Sequence, residues 1–245
     1  MDYKDVRKMF AEKSGRYDLV NDDWSDNGAD FFINAGQKYL DRMQSTGKMK
    51  AKEVQSITAG TIIVKCTDLR AILEVSVGNT TDGLTALQRA PLQELRNFYE
   101  EQLSGIDRGT PIYYAPCYLR PHADTATFTG YYDIDDILVA SNHYTYNGLI
   151  LSPPPDETMY VSIYGLFYSP TLSATVASGT WTQTKSFWTE MHPDILLQAA
   201  FYKLEVFYRN TEGAKDWQAA LQLDIAGLDH DIVEEDYAGI NEMGG

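Results

Sequence analysis

The sequence predicts an α+β protein in which terminal helices form an α-helical bundle around a β-rich insertion. Three observations predict it. Apolar residues recur at helical spacing near both ends, the middle carries strand-like runs rich in Tyr, Thr and Val, and the two kinds of pattern are segregated along the 245 residues. Segregation argues against a doubly wound sheet, in which helix and strand alternate. The expected regions are a helical 1–52, a β-rich 53–186 with one helix near 91–104, a helical 187–228 that completes the bundle, and an extended acidic C-terminal arm over 229–245.

The first helix is expected over 3–15, where Val6, Met9 and Phe10 share a face and Gly15 stops it. Ser25, Asp26 or Asn27 can cap the next helix, from about Gly28 to Thr46, by accepting from its free N–H groups. Its stripe is Ala29, Phe32, Ile33, Gly36, Leu40 and Met43, and Gly47 closes it. A glycine inside that stripe costs about 1 kcal/mol of helix propensity, which a close helix–helix approach at Gly36 would explain. From about residue 54 the period changes. Thr61–Cys66 and Arg70–Val77 read as strands joined by a turn at Thr67-Asp68-Leu69. Pro91 opens a helix through Leu92, Leu95, Phe98, Tyr99 and Leu103. Strand signals follow at Ile112–Leu119, Thr127–Tyr132, Tyr146–Leu151, Thr158–Tyr168 and Leu172–Val176, with Pro153-Pro154-Pro155-Asp156 as a link outside any sheet. After Phe187-Trp188 the helical period returns: Pro193 opens a helix with Ile195, Leu196, Ala199, Tyr202, Val206 and Phe207, and Gly213 separates it from another through Trp217, Leu221, Ile225 and Leu228.

The formal net charge of -15 is unevenly spread: residues 1–50 balance nine acids with nine bases, whereas 211–245 hold nine acids and only Lys215. That sign disfavours specific nucleic-acid binding without preventing DNA from passing nearby. The start of the chain carries no signal-peptide pattern and no apolar run approaches a bilayer span, so a cytosolic birthplace is expected. Two cysteines, Cys66 and Cys117, fit a reducing compartment.

Catalytic signatures are sparse. Cys117 and His122 lie too far apart in extended chain for a thiol dyad unless Pro121 turns the chain back. Asp133, Asp135 and Asp136 lack the Gly and Glu of a calcium loop and read as a solvated turn. No Gly-rich loop carries the Lys of a nucleotide cradle, and no Gly-x-Ser-x-Gly elbow occurs. The reading is therefore non-enzymatic, with no catalytic residue, no metal and no cofactor. Tyr113, Tyr114, Tyr118, Tyr144, Tyr160, Tyr164 and Tyr168 have the spacing of ordinary sheet residues; an alternative takes them as a carbohydrate- or receptor-binding surface. A hydrolase using two acidic residues is a more distant alternative. Phe31, Phe207, Tyr208 and Trp217 are more than one small bundle readily buries: either the helices show second apolar stripes to a neighbour, or the β-rich block supplements the bundle core.

Three segments carry a family likeness. Trp24 followed by Phe32-Ile33-Asn34-Ala35-Gly36-Gln37-Lys38-Tyr39-Leu40, then Leu149-Ile150-Leu151-Ser152-Pro153-Pro154-Pro155-Asp156 with Tyr160-Val161 and Tyr164, then Phe187-Trp188-Thr189 with Pro193–Ala200, resemble in order and spacing the head-to-tail adaptor proteins of tailed bacteriophages. The likeness spans roughly residues 3–225, and 80–148 match nothing in it. It implies a structural virion protein of the neck: a ring, commonly of twelve copies, between the portal protein and the tail (nozzle or tail-tube) proteins, with genomic DNA passing non-specifically through the lumen and no membrane contact. Family members use a C-terminal segment to grip the portal or a neighbouring subunit. The matching docking arm here is Asp229, Asp231, Ile232, Val233, Glu234, Glu235, Asp236 and Tyr237. Bundle and ring contacts are expected at Phe32, Ile33, Gly36, Leu40, Ile195, Ala199, Tyr202 and Trp217.

Overall fold

From the N-terminus the elements are α1 (Tyr3–Ser14), a 3-10 turn (Tyr17–Leu19), α2 (Ala29–Met43), β1 (Lys50–Ile57), β2 (Ile63–Lys65), β3 (Leu69–Asn79), β4 (Gly83–Ala86), β5 (Gln88–Arg89) and α3 (Leu92–Glu100). They continue with β6 (Tyr113–Cys117), β7 (Gly148–Ser152), β8 (Met159–Phe167), β9 (Ala174–Ala177), β10 (Thr180–Gln183), α4 (Phe187–Met191), α5 (Pro193–Phe207) and α6 (Thr211–Ala238). This computed structural model describes residues 1–43, 50–100, 107–117 and 148–238, and within them every side chain except those of 100 and 229–238. The structure is mixed α+β and divides into two compact units: Met1–Met49 with Tyr168–Gly245, and Lys50–Phe167.

In the first unit α1, α2 and α5 bury Val6, Phe10, Ile33, Leu40, Leu196 and Ala200 among one another. Phe10 stacks on Phe32 and on Phe201, with ring centroids 6.3 and 5.5 Å apart. Of the three candidate caps of α2 it is Asp26 that serves: its Oδ1 accepts from the N–H groups of Gly28 (3.0 Å) and Asp30 (2.8 Å). At Gly36 a Cβ would stand 2.7 Å from the Ala200 nitrogen and 2.8 Å from the Ala199 carbonyl carbon, so α2 and α5 touch backbone to backbone there. Only glycine permits that approach.

The second unit is layered. One sheet is antiparallel with the order β1-β8-β3-β4; the other has the order β2-β7-β6-β5 and is mixed, β5 running parallel to β6. Ile57, Val75, Val77, Met159, Val161 and Ile163 of the first pack against Val64, Tyr114, Leu149 and Leu151 of the second. Every residue of β7 is buried, because its other side, with Ile150, meets Leu95 and Tyr99 of α3. The Tyr99 hydroxyl donates to the Leu151 carbonyl, which satisfies a polar group on a fully buried side chain.

Several expectations need correction. β1 begins at Lys50, inside the region read as helical, and escaped notice because its half-buried positions are Glu53 and Gln55, so burial alternates there while apolarity does not. The turn around Asp68 exists, with φ +61°, but the strands it joins enter different sheets: β2 pairs with β7 and β3 with β8. Residues 168–186, read as part of the β-rich insertion, belong with the helical unit because α1 and α2 grip them. Gly213 does not separate two helices. The break is Tyr208–Asn210, where Arg209 adopts φ +60° and the Asn210 side chain accepts from the Gly213 N–H at 3.3 Å. The arm was expected to be extended from Asp229; its backbone instead continues α6 to Ala238, since no proline or glycine occurs between Leu228 and Gly239 to stop it. The expected strand Thr127–Tyr132, His122, the Asp133 cluster, Tyr118 and Tyr144 lie outside the described residues.

Candidate interaction surfaces

Beside its apolar stripe, α2 carries a polar one. Asp30, Asn34, Gln37 and Asp41 recur at spacings of four, three and four, which places them on one helical face. The last three read the backbone of the segment after β8. Asp41 accepts from the Ser169 N–H (2.8 Å), the Ser169 hydroxyl (2.9 Å) and the Trp188 indole N–H (2.7 Å). Gln37 donates to the Pro170 carbonyl at 2.9 Å and accepts from the Ser186 hydroxyl at 2.7 Å. Asn34 donates to the Leu172 carbonyl and accepts from the Leu172 N–H, at 2.9 and 2.7 Å. Ser186 and Thr189 in turn form a reciprocal cap on α4, a five-residue helix that sequence reasoning missed.

Asp30 belongs to a second buried arrangement. Arg7 is fully buried and binds the Asp30 carboxylate in bidentate fashion, at 2.7 and 2.8 Å, while its remaining N–H groups reach the Trp24 and Ala174 carbonyls. Burial works against the Arg7 charge, but the hydrogen bond and charge of Asp30 outweigh it and hold the guanidinium above its ordinary pKa. The Tyr3 hydroxyl donates to the same carboxylate at 2.6 Å, and burial followed by the Asp30 charge pushes the phenol well up. These groups are consumed by the fold. Nothing polar in them faces a ligand.

Phe32, Ile33, Gly36, Leu40, Ile195 and Ala199, named from the sequence, are packed inside the unit or half covered there. Tyr202 rests on Tyr39 at 5.1 Å and Trp217 on Phe201 at 5.2 Å, so Trp217 is half-buried and not an exposed ring. The residues left for a neighbour are others. Phe31 is 66% exposed and Phe207 62%, and they join Tyr208 in one aromatic patch through Phe32. Arg16 lies over the Tyr208 ring at 4.5 Å and is neutralised by Asp18 at 2.7 Å. The docking-arm residues from Asp229 to Tyr237 lie on the backbone of α6, with side chains outside the description.

In the second unit the outer face of the β1-β8-β3-β4 sheet is uncovered among the described residues. Cross-strand register sets Lys52 beside Tyr164 and Glu74, Val54 beside Ser162 and Ser76, and Ser56 beside Tyr160 and Gly78 on that face. Tyr160 and Tyr164 are both exposed, whereas Tyr114 is buried in the core. Cys66 and Cys117 are buried thiols outside any disulfide, and burial followed by the Glu53 charge pushes the Cys66 thiol up to about 12. A cavity of about 20 Å³ beside Leu69, Ala71, Pro116 and Gly148 has room for a single water. Among the described residues no three His, Cys, Asp or Glu side chains gather as a metal cage, and no helix is long and apolar enough to cross a membrane. Compared with protein-family models and with curated proteins, the chain matches none.

Proposed function

We propose that this chain is a structural virion protein, a head-to-tail adaptor of a tailed bacteriophage that forms a ring between portal and tail with DNA passing through its lumen. The observation that carries the reading is the interlock of the first and third likeness segments. Asn34 and Gln37 grip the chain before Ser186, Asp41 takes the Trp188 indole, and Gly36 lies on Ala199 and Ala200. Residues that carry the resemblance are thus the ones that this architecture needs. The bundle would form the ring wall, the β-rich unit would serve as the insertion, and the acidic end of α6 would dock on portal or neighbour. The work is mechanical, and needs no catalytic group or cofactor. Electron microscopy of assembled particles is the test: twelve copies beneath the portal are expected, and absence of the chain from mature particles overturns the reading.

A second reading, a carbohydrate- or receptor-binding virion protein, draws on Tyr160 and Tyr164, both exposed on one face of β8 and four residues apart. Glycan binding lost in Tyr160→Ala and Tyr164→Ala would favour it.

A further inference from the structure

The hairpin β9–β10 is a two-stranded ribbon: its β9 edge is met by Arg7 at Ala174 and is otherwise open among the described residues, as is its β10 edge. Its turn, Ser178-Gly179, has φ +50° and +79°, matching the twist of the strands it joins. Ala177 faces Thr180, Val176 faces Trp181 and Thr175 faces Thr182, and the Thr184 N–H donates to the Ser173 carbonyl at 2.9 Å. Inward- and outward-pointing backbone groups alternate along an antiparallel strand. Residues 173, 175 and 177 therefore bond across the ribbon, and Val176 and Trp181 aim their N–H and C=O groups away from it. The Ala174 carbonyl obeys the same alternation and points outward, where Arg7 meets it at 3.1 and 3.2 Å. No described residue bonds the outward groups of Val176 or Trp181.

Natural edge strands are guarded by lysines, prolines or bulges, and a two-stranded ribbon alone is marginal in water. This ribbon is guarded by none of these. It lies in Thr158–Thr184, 27 residues without one charge in a chain of net charge -15. Two such chains repel where their acidic surfaces meet; the ribbon brings no acid of its own, and the charge beside it, the Lys4 ammonium 4.6 Å from the Trp181 ring, is a cation. Its free face is Thr175, Ala177, Thr180 and Thr182, all exposed and small enough to lie against a copy of themselves.

We propose that the occupant of these edges is a second copy of this chain, the β9 edge of one copy adding antiparallel to the β10 edge of the next. Each hairpin offers two unlike edges, so addition continues from copy to copy until rotation closes it. The closed product is an antiparallel barrel with two strands from every subunit. This deepens the adaptor reading by naming a ring contact, and it rests on the self-association assumed there.

The test is sedimentation velocity and native mass spectrometry of the full chain up to about 1 mM. The wild type is expected to form concentration-dependent multimers. Val176→Pro removes one outward N–H and no bond within the ribbon, so it should weaken association at least about tenfold; Val176→Ala should not. Trp181→Pro blocks the opposite edge. Either proline variant alone should be monomeric, and an equimolar mixture should stop at dimers. Should a proline variant fail to fold, Thr175→Lys with Thr182→Lys guards the ribbon by charge and should give the same loss. A wild type that stays monomeric throughout, or a folded Val176→Pro that associates like wild type, overturns the pairing. Neither result bears on where the chain sits in a particle, so the two proposals fail separately.

Discussion

The two units are held together by different means. In the unit built on α1, α2 and α5, carboxylate and amide side chains spaced along one helix fasten a strand-like segment more than 120 residues away in the chain. In the layered unit apolar side chains of two sheets and one helix bury one another, and the buried Tyr99 hydroxyl adds a polar anchor among them. A buried hydrogen bond contributes about 1 kcal/mol when made, but leaving its partner unpaired costs up to about 3 kcal/mol. Stability in the first unit therefore sits in a few positions, whereas in the second it is spread over many contacts of similar small worth.

Replacing Asp41 by alanine strands the Ser169 N–H and the Trp188 indole together. It is expected to cost about 3–5 kcal/mol, read by urea unfolding with Trp fluorescence. Ile163→Val, at a fully buried position of the layered unit, is expected to cost about 1 kcal/mol. Equal losses would erase the contrast. Gly36→Ala drives a methyl into the backbone of Ala199 and Ala200 and should destabilise by about 1–3 kcal/mol despite the better helix former. Gly227→Ala in α6, where a Cβ meets nothing within 4 Å, should stabilise by about 0.5–1 kcal/mol.

Cys66 offers a titration of the layered unit alone. Its thiol is neutral in the fold to about pH 12, against an ordinary value of 9.0. The folded state thus binds the proton more tightly, so this stabilisation is complete below pH 9 and is lost as pH rises towards 12. The slope is at most about 1.4 kcal/mol per pH unit, and Cys66→Ala should flatten it. Native protein should resist thiol reagents at pH 8 and label only on unfolding; rapid native labelling would contradict the burial. The smallest effect is expected at Tyr160→Ala, whose ring already meets solvent: within about 0.5 kcal/mol of wild type in thermal unfolding.

The contrast also explains what the sequence made legible. Strands β3, β7 and β8 and helices α1, α2 and α5 announced themselves by apolar period, because each buries one or both faces. The approach at Gly36 was readable too, since a glycine in an apolar stripe has few other uses. The stripe of Asp30, Asn34, Gln37 and Asp41 was invisible for the opposite reason. Polar residues on a helix look solvated until the segment they hold is known, although their spacing was there to be counted. β1 and the ribbon's second strand escaped because their more covered faces carry polar residues, Glu53 and Gln55 in one and Gln183 in the other, so no apolar alternation shows.

The span between Asp41 and Trp188 also has a consequence for how the protein is made. The two lie 147 residues apart, and a ribosome adding about 5–20 residues per second needs on the order of 10 s to pass from one to the other. For that interval the nascent α1 and α2 carry Phe10, Phe32, Ile33 and Leu40 with no α5 to cover them. The stretch Lys50–Phe167 is synthesised before Tyr168 is added, and once it has cleared the exit tunnel it can fold while the first unit waits. A pause in translation between residues 168 and 207 would prolong that wait and its exposure to aggregation and proteolysis. The last 78 residues are where codon choice and chaperone supply decide the yield of this chain.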